Sequence, residues 1–257
     1  MRLKENYIAF ETIVRKEVVR VLRIWLQTVL PSGITMFLYI VIFGGLIGAR
    51  IGSMEGISYM EFIVPGLIMM SVITNAYSNV VSSFFSAKFQ RSIEELMVSP
   101  LSSTVIVGGY IAGGVIRGLL VALLVTIIAL FFTRLQIHNV AIVFSIVILT
   151  AVLFSLGGFL NALFAKKFDD IAVVPTFVLT PLTYLGGVFY SIKMLPDFWQ
   201  SISLVNPILY LVNAFRYGFL GVSDIDIYHA FGVLIVFIAV LFALNVHLIN
   251  RGIGLRS

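Results

Sequence analysis

The chain has 257 residues, of which 60% are hydrophobic and 11% charged, with a formal net charge of +5. An ordinary soluble domain carries about 25% charged residues, so this composition excludes one and indicates a single polytopic membrane domain over 1–257. The absence of cysteine removes disulfides, thiolate catalysis and Cys-based metal sites, and basic residues gathered near membrane ends make nucleic acid a poor partner.

Met1–Arg23 is charged throughout and lacks the apolar core of a cleavable signal peptide. Phe10, Val14, Val18, Val21, Leu22 and Trp25 form one helical stripe, with Glu11, Arg15, Lys16, Arg20 and Arg23 largely off it. The pattern predicts an amphipathic helix over 1–25, lying in the cytoplasmic interface. Trp25 and Pro31 favour a bend there over a straight extension of the first span.

The remaining 26–257 read as an all-α, six-helix membrane bundle. Six segments reach the ~20 mostly apolar residues that a spanning helix requires. They are Val29–Ala49, Phe62–Ala87, Val105–Phe132, Ala141–Ala165, Ala172–Tyr190 and Tyr228–Ile249. Six spans place Arg2, Lys4, Arg15, Lys16, Arg20, Arg23, Lys88, Arg91, Lys166, Lys167, Arg251 and Arg256 on one face. Only Arg50, Arg134, Lys193 and Arg216 fall on the other, so both termini are expected in the cytoplasm.

Between the second and third spans lies a charged island, Lys88–Thr104, reading KFQRSIEELMVSPLSST. Phe89, Ile93, Leu96, Met97 and Leu101 recur at helical spacing, with Gln90, Arg91, Glu94 and Glu95 opposite, until Pro100 stops the helix. A short connection needs no amphipathic helix. A surface helix with paired carboxylates is what a soluble partner can grip.

No enzyme constellation is present. His138, His229 and His247 are not at metal-ligand spacing, and neither HExxH, GxSxG nor GxxxxGK[ST] occurs. Ser155, in VLFSLGG, reads as a packing residue, and any ATP must be bound by another chain. The spans carry uncharged polar stripes. These are Asn75, Ser78, Asn79, Ser82 and Ser86 in the second, and Thr176, Thr180, Thr183 and Tyr184 in the fifth, around Pro175 and Pro181. Such residues line a substrate path or bond helices together, and the sequence leaves both readings open. Asp and Glu are absent from all six segments, which argues against a proton-coupled pump. Arg117, in GGYIAGGVIRGLL, is expected to snorkel or to pair with Asp169 or Asp170. Gly109, Gly113, Gly114 and Gly118 offer close helix approach, and Gly44, Gly45, Gly48, Gly157 and Gly158 read likewise as packing positions.

The last outer connection is long, yet Phe198–Phe215 within it is uncharged. Left in water, that run exposes apolar surface at ~25 cal/mol per Å². It is expected to form two short helices of about nine residues, ~13 Å each, broken at Asn206-Pro207 and dipping into the outer leaflet. In this reading Asn206 satisfies backbone at the tip, Tyr210 anchors against the fifth span, and Arg216 stays at the outer surface. A single irregular interfacial helix is the alternative.

RSIEELMVSPLSS, FDDIAVVPTFVLTPLTYLGGVFYSI and NPILYLVNAFRYGFLG together give the chain a resemblance to a known family. Over nearly its whole length it resembles the ABC-2 type permeases, membrane subunits of type V-fold ABC exporters, and most of all the YadH-type permeases of Gram-negative inner membranes. The resemblance implies two permease chains paired with two copies of a separately encoded ATPase that holds ATP and Mg, with no cofactor in this chain. It implies a connecting helix over 1–25 and a coupling helix over Arg91–Leu101, placing Arg91, Glu94, Glu95, Leu96, Met97, Pro100 and Leu101 at the ATPase. Asp169 and Asp170 belong to a second, smaller contact. Asn75, Asn79, Ser82, Thr176, Thr180 and Tyr184 are path candidates, and Asn206, Pro207, Tyr210 and Arg216 belong to the outer gate. The expected activity is export of a hydrophobic or amphipathic substrate by alternating access between rigid bundles. A secondary transporter or channel, working without an ATPase, is the alternative.

Overall fold

A computed structural model describes residues 2–54, 56–98, 101–134 and 137–254. Helix α1 (Arg2–Arg23) ends at Ile24, which leaves helical geometry at φ −109° and ψ 19°. Helix α2 (Trp25–Ile51) follows, with a π-helical stretch over Ile40–Ile47. A two-residue ribbon pairs Ser53 with Ser58 and Met54 with Ile57. Then come α3 (Tyr59–Phe89), α4 (Ser92–Val98), α5 (Ser103–Leu130), α6 (Val140–Phe164) and α7 (Asp170–Leu185). Two shorter helices, α8 (Asp197–Leu204) and α9 (Pro207–Leu220), precede α10 (Ile227–Asn250).

Among the described residues five helices are long and apolar enough to cross a membrane: α2, α3, α5, α6 and α10. They coincide with five of the six expected spans. The fifth expected span, Ala172–Tyr190, is helical only as far as Leu185 within α7, which is shorter than the other five. Its backbone is π-helical over Pro175–Leu179 because Pro175 and Pro181 lack amide donors and the ladder must step around them.

Helix α3 is the centre of the bundle. Its most apolar stretch is 78% buried, against 17% for α2 and 22% for α10. It packs on α5 and α6, and small residues set the distance. A Cβ at Gly158 would lie 2.5 Å from the Tyr77 carbonyl oxygen, so α6 meets backbone there and any side chain would separate the helices. Gly114 faces Ser155 and Gly118 faces Ala151 on the α5–α6 seam. Gly44 and Gly48 pack on Met60 and Tyr59, whereas a Cβ at Gly45 would meet no atom of the described residues within 4 Å. The outward faces of α2 (Leu26, Leu30, Ile34, Leu38, Leu46) and α10 (Ile235, Val236, Val240) remain exposed. They suit lipid, where apolar side chains need no cover.

Candidate functional site

One end of the bundle gathers the expected coupling residues. Lys88 closes α3 and donates through Nζ to the carbonyl oxygens of Leu163 (2.7 Å) and Ala165 (2.8 Å). One ammonium thus satisfies two carbonyls at the C-terminus of α6, where a helix end leaves acceptors unpaired. Arg91 then takes φ 58°, rare for a residue other than glycine, and turns the chain sharply from α3 into α4. On α4, Ile93 is buried, Leu96 packs against the core and Glu95 is exposed. The side chains of Glu94 and Met97, and all of Pro100, lie outside the described residues. Leu101 is half-buried beside α1.

The second expected contact sits against the first. Phe168 packs edge-on against Phe85 and Phe89, at 4.9 and 5.0 Å between centroids. Asp169 is exposed. Asp170 accepts from the backbone N–H groups of Lys166 (2.8 Å) and Lys167 (3.0 Å), which fixes the turn rather than freeing the carboxylate. Both rings are more than half exposed; Phe89 belongs to the apolar stripe expected from sequence, whereas Phe168 was not singled out there. The position of Phe168 directly before Asp169 and Asp170 was the signal available.

Below this end runs a buried polar network. Glu17 of α1 is fully buried; its carboxylate accepts from Ser83 Oγ at 2.6 Å and pairs with Arg20 at 2.8 Å. Arg20 also donates to Asn79 Oδ1 (2.8 Å) and to the Asn79 carbonyl (3.1 Å). Further along, Arg117 donates to Asn75 Oδ1 (2.9 and 3.2 Å) and to the Thr28 carbonyl (3.3 Å), while Asn75 donates to Ser32 Oγ at 2.9 Å. Arg117 therefore neither snorkels nor meets Asp169 or Asp170. Burial made bonding to Asn75 the available way to satisfy a guanidinium inside the bundle. The α5 glycines make room for α1: a Cβ at Gly113 would sit 2.7 Å from Glu17 Cβ, and one at Gly109 would sit 2.6 Å from Ile13 Cγ2. The protein-facing side of α1 is thus Ile13, Glu17 and Val21, whereas Phe10, Leu22 and Trp25 of the expected stripe point outward.

The path candidates divide. Asn75 and Asn79 are buried in interhelical bonds. Ser82 is half-buried and donates to the Ser78 carbonyl at 2.7 Å. Thr176, Thr180 and Tyr184 lie exposed on α7, with Thr180 Oγ1 donating to the Pro175 carbonyl at 2.9 Å.

At the opposite end, Asn206 caps α9. Its Oδ1 accepts from Ile208 N at 3.0 Å, and its Nδ2 donates to the Leu182 carbonyl of α7 at 2.6 Å. Pro207 occupies the first turn of α9, where its missing N–H costs nothing. Two helices do form, but unequally: α8 has 8 residues, and α9 has 14 and ends only at Gly221, at φ 72°. Tyr210 donates to the Leu204 carbonyl at 2.7 Å and so ties α9 to α8, not to the fifth span. Arg216, expected at the outer surface, is buried at 1% exposure. Its Nη2 donates to the Gly187 carbonyl at 2.6 Å, its Nε to the Phe62 carbonyl at 3.3 Å, and its guanidinium lies 3.8 Å from the centre of the Phe62 ring. Because α9 continues past Phe215, Arg216 points into the bundle instead of ending an arm.

Comparison with known proteins identifies the family. The family model for the ABC-2 type transporter matches residues 8–220. The chain is 61% identical over 251 residues to the inner membrane transport permease YadH of Escherichia coli (strain K12), covering 98% of both chains. It is also 26% identical over 219 residues to nodulation protein J of Rhizobium leguminosarum bv. viciae, covering 83% of each. The chain is an all-α, multi-pass inner-membrane permease that belongs to the ABC-2 type transporter family.

Proposed function

We propose that the chain is one of two identical permease subunits in an ATP-driven exporter, paired with two copies of a separate ATPase that binds ATP and Mg. Residues 1–257 form one domain, α1 is its connecting helix, and α7 counts as the fifth of six crossings. Both termini then face the cytoplasm, as the distribution of Lys and Arg favours. Helix α4, with Arg91, Glu94, Glu95, Leu96, Met97, Pro100 and Leu101, rests on the ATPase, and Asp169 and Asp170 add a smaller contact. The exposed polar side of α7 (Thr176, Thr180, Tyr184), with Ser82 of α3, borders the substrate path near the dimer axis, and Asn75 and Asn79 hold that wall from behind. Helices α8 and α9 form the re-entrant hairpin that closes the outer end, held by Asn206, Pro207, Tyr210 and Arg216. The substrate is hydrophobic or amphipathic and moves outward by alternating access.

The observation that carries this reading is the attachment of α4 to the core. Lys88 clamps α3 to α6 within a few residues of the Arg91 turn, so force applied to α4 reaches both helices. The test is co-purification of the chain with a Walker-motif ATPase, followed by nucleotide-dependent transport in liposomes. A stable complex whose ATPase activity rises in the presence of the permease is expected. Substrate flux through the purified chain alone, driven by an ion gradient, would instead identify a secondary transporter or channel.

A further inference from the structure

At the end of the bundle opposite α4, a cavity of about 470 Å³ opens between α3, the α5–α6 connection and the end of α9. Its size is within the ~300–1,000 Å³ typical of small-molecule sites. Glu61 of α3, Arg134 and His138 line it, with Ile57 and Leu220 beside them. Backbone contacts hold this geometry. His138 N donates to the Phe219 carbonyl at 3.1 Å and Asn139 N to the Gly218 carbonyl at 2.8 Å, so the connection is latched to the last turn of α9. Gly218 permits that approach, since a Cβ there would lie 2.8 Å from Val143 Cγ2. The His138 ring stands edge-on to Tyr217, 5.4 Å between centroids.

The two opposite charges of the cavity are unspent. Glu61 is half-buried, yet its carboxylate forms no hydrogen bond or ion pair among the described residues, and neither does the Arg134 guanidinium. A carboxylate partly withdrawn from water and left without a donor is costly. One anion and one cation in one cavity match a ligand that carries both charges. A purely anionic ligand would meet Glu61, and a purely cationic one, a metal ion included, would meet Arg134.

Depth identifies where such a ligand comes from. Helix α3 has 31 residues, about 46 Å at 1.5 Å per residue. It outruns the ~30 Å hydrocarbon core and reaches the headgroup layers, ~40–45 Å across. Glu61 lies in its first turn, and Arg134 and His138 lie between the end of α5 and the start of α6. Leu123, Ile127 and Leu130, at i, i+4 and i+7 on α5, are exposed and lead up to the segment that carries Arg134. They offer acyl chains an apolar face below the charged cavity.

We propose that this cavity binds the headgroup of a zwitterionic phospholipid, phosphatidylethanolamine. The Glu61 carboxylate accepts from the ammonium, and Arg134 donates to the phosphate, with the His138 imidazole beside it. A primary ammonium donates hydrogen bonds that a choline cannot. Choline is held by aromatic cages, whereas Phe219, the aromatic residue lining this cavity among the described residues, is buried at 3% exposure.

The test is native mass spectrometry of the full chain in detergent, titrated with palmitoyl-oleoyl phosphatidylethanolamine, phosphatidylcholine or phosphatidylglycerol. The chain is expected to bind the ethanolamine lipid about tenfold more tightly than either of the others, the equivalent of one hydrogen bond to a charged group. Glu61→Gln, of the same size, should bring the ethanolamine lipid close to the choline level. Arg134→Gln should weaken ethanolamine and choline lipids alike. Arg134 is exposed and outside any helix, so this variant remains interpretable if Glu61→Gln does not fold. Equal binding of the ethanolamine and choline lipids, or a preference that survives Glu61→Gln, would overturn the proposal. So would tightest binding of the glycerol lipid, which would make Arg134 alone the determinant. Free O-phosphoethanolamine binding as tightly as the lipid would identify a soluble zwitterion instead and overturn the lipid assignment. No ATPase takes part, so failure here is separate from failure of the exporter reading.

Discussion

Glu17 and Arg20, one turn apart on α1, form a 2.8 Å ion pair in which the Glu17 carboxylate is fully buried. The pair does not end on its own helix. Ser83 Oγ and Asn79 Oδ1 of α3 complete it, so the N-terminal segment is held by the core of the bundle rather than by lipid headgroups alone.

Truncating one member should therefore destabilise more than truncating both. Glu17→Ala leaves Arg20 with only Asn79, and the expected cost is at the lower end of the ~3–5 kcal/mol seen for broken buried pairs, because Arg20 remains a quarter exposed. The double variant Glu17→Ala/Arg20→Ala should recover part of that loss. Thermal melts of the four proteins in detergent check it, and strictly additive shifts would refute the coupling.

Gly113 tests the seat of α1 from the other side. Gly113→Leu places a side chain where Glu17 Cβ now lies, 2.7 Å from the new Cβ. Overpacking of this kind costs about 1–3 kcal/mol. Thiol labelling at Ile13→Cys, slow in the parent because Ile13 is buried, should become fast. Unchanged protection would mean that α1 docks elsewhere.

Arg216 should not tolerate its usual substitute. Lys keeps the charge but cannot reproduce the fork that reaches Gly187 and Phe62 together, nor the flat stacking on the Phe62 ring. Arg216→Lys and Arg216→Ala are both expected to lower the melting temperature by several degrees. A melt identical to the parent for Arg216→Lys would show that charge alone suffices.

Asn206 links two elements, α9 and α7, through one side-chain amide. Asn206→Ala should cost about 1–2 kcal/mol by removing the cap on Ile208 N and the bond to Leu182, whereas Asn206→Asp keeps the cap and loses only the bond to α7. If α8 and α9 close the outer end, Asn206→Asp should raise accessibility of Val205→Cys to a membrane-impermeant thiol reagent more than it lowers stability. The reverse order of effects would argue for an ordinary cap.

Reversal of the paired carboxylates probes the partner surface. Glu94→Lys/Glu95→Lys is expected to abolish ATPase stimulation and co-purification while the chain still elutes as a folded species. Retention of both would remove α4 from the coupling role.

Hydrophobic runs of twenty residues were legible because the bilayer dictates them, and five of the long helices follow directly. The small-residue spacing of Gly109, Gly113, Gly114 and Gly118 likewise announced a packing seam. What the pattern could not reveal was the choice among partners. Arg117 was expected to snorkel or to pair with Asp169 or Asp170 of the next cytoplasmic loop, yet bonding to Asn75 and Thr28 prevailed because the side chain points into the bundle. Glu17 sat inconspicuously in a charged helix, and only the arrangement of α3 and α5 gives it Ser83 and excludes water. Arg216 was misplaced for a related reason: arms of equal length were assumed around Pro207, and the Gly221 stop lies beyond the uncharged run.

The central helix is also the least hydrophobic of the five long ones, with mean hydropathy 1.3 against 2.0 to 2.7 for the others. During synthesis it leaves the ribosome before α5, α6 and α10 exist to surround it. Its polar side chains nevertheless have company in segments made earlier: Ser32 bonds Asn75, Arg20 bonds Asn79 and Glu17 bonds Ser83, and only Arg117, the second partner of Asn75, follows later. Contacts with the two N-terminal helices thus cover much of the polar side of α3 with chain that is synthesised before it, which lowers the polarity it has to present to lipid.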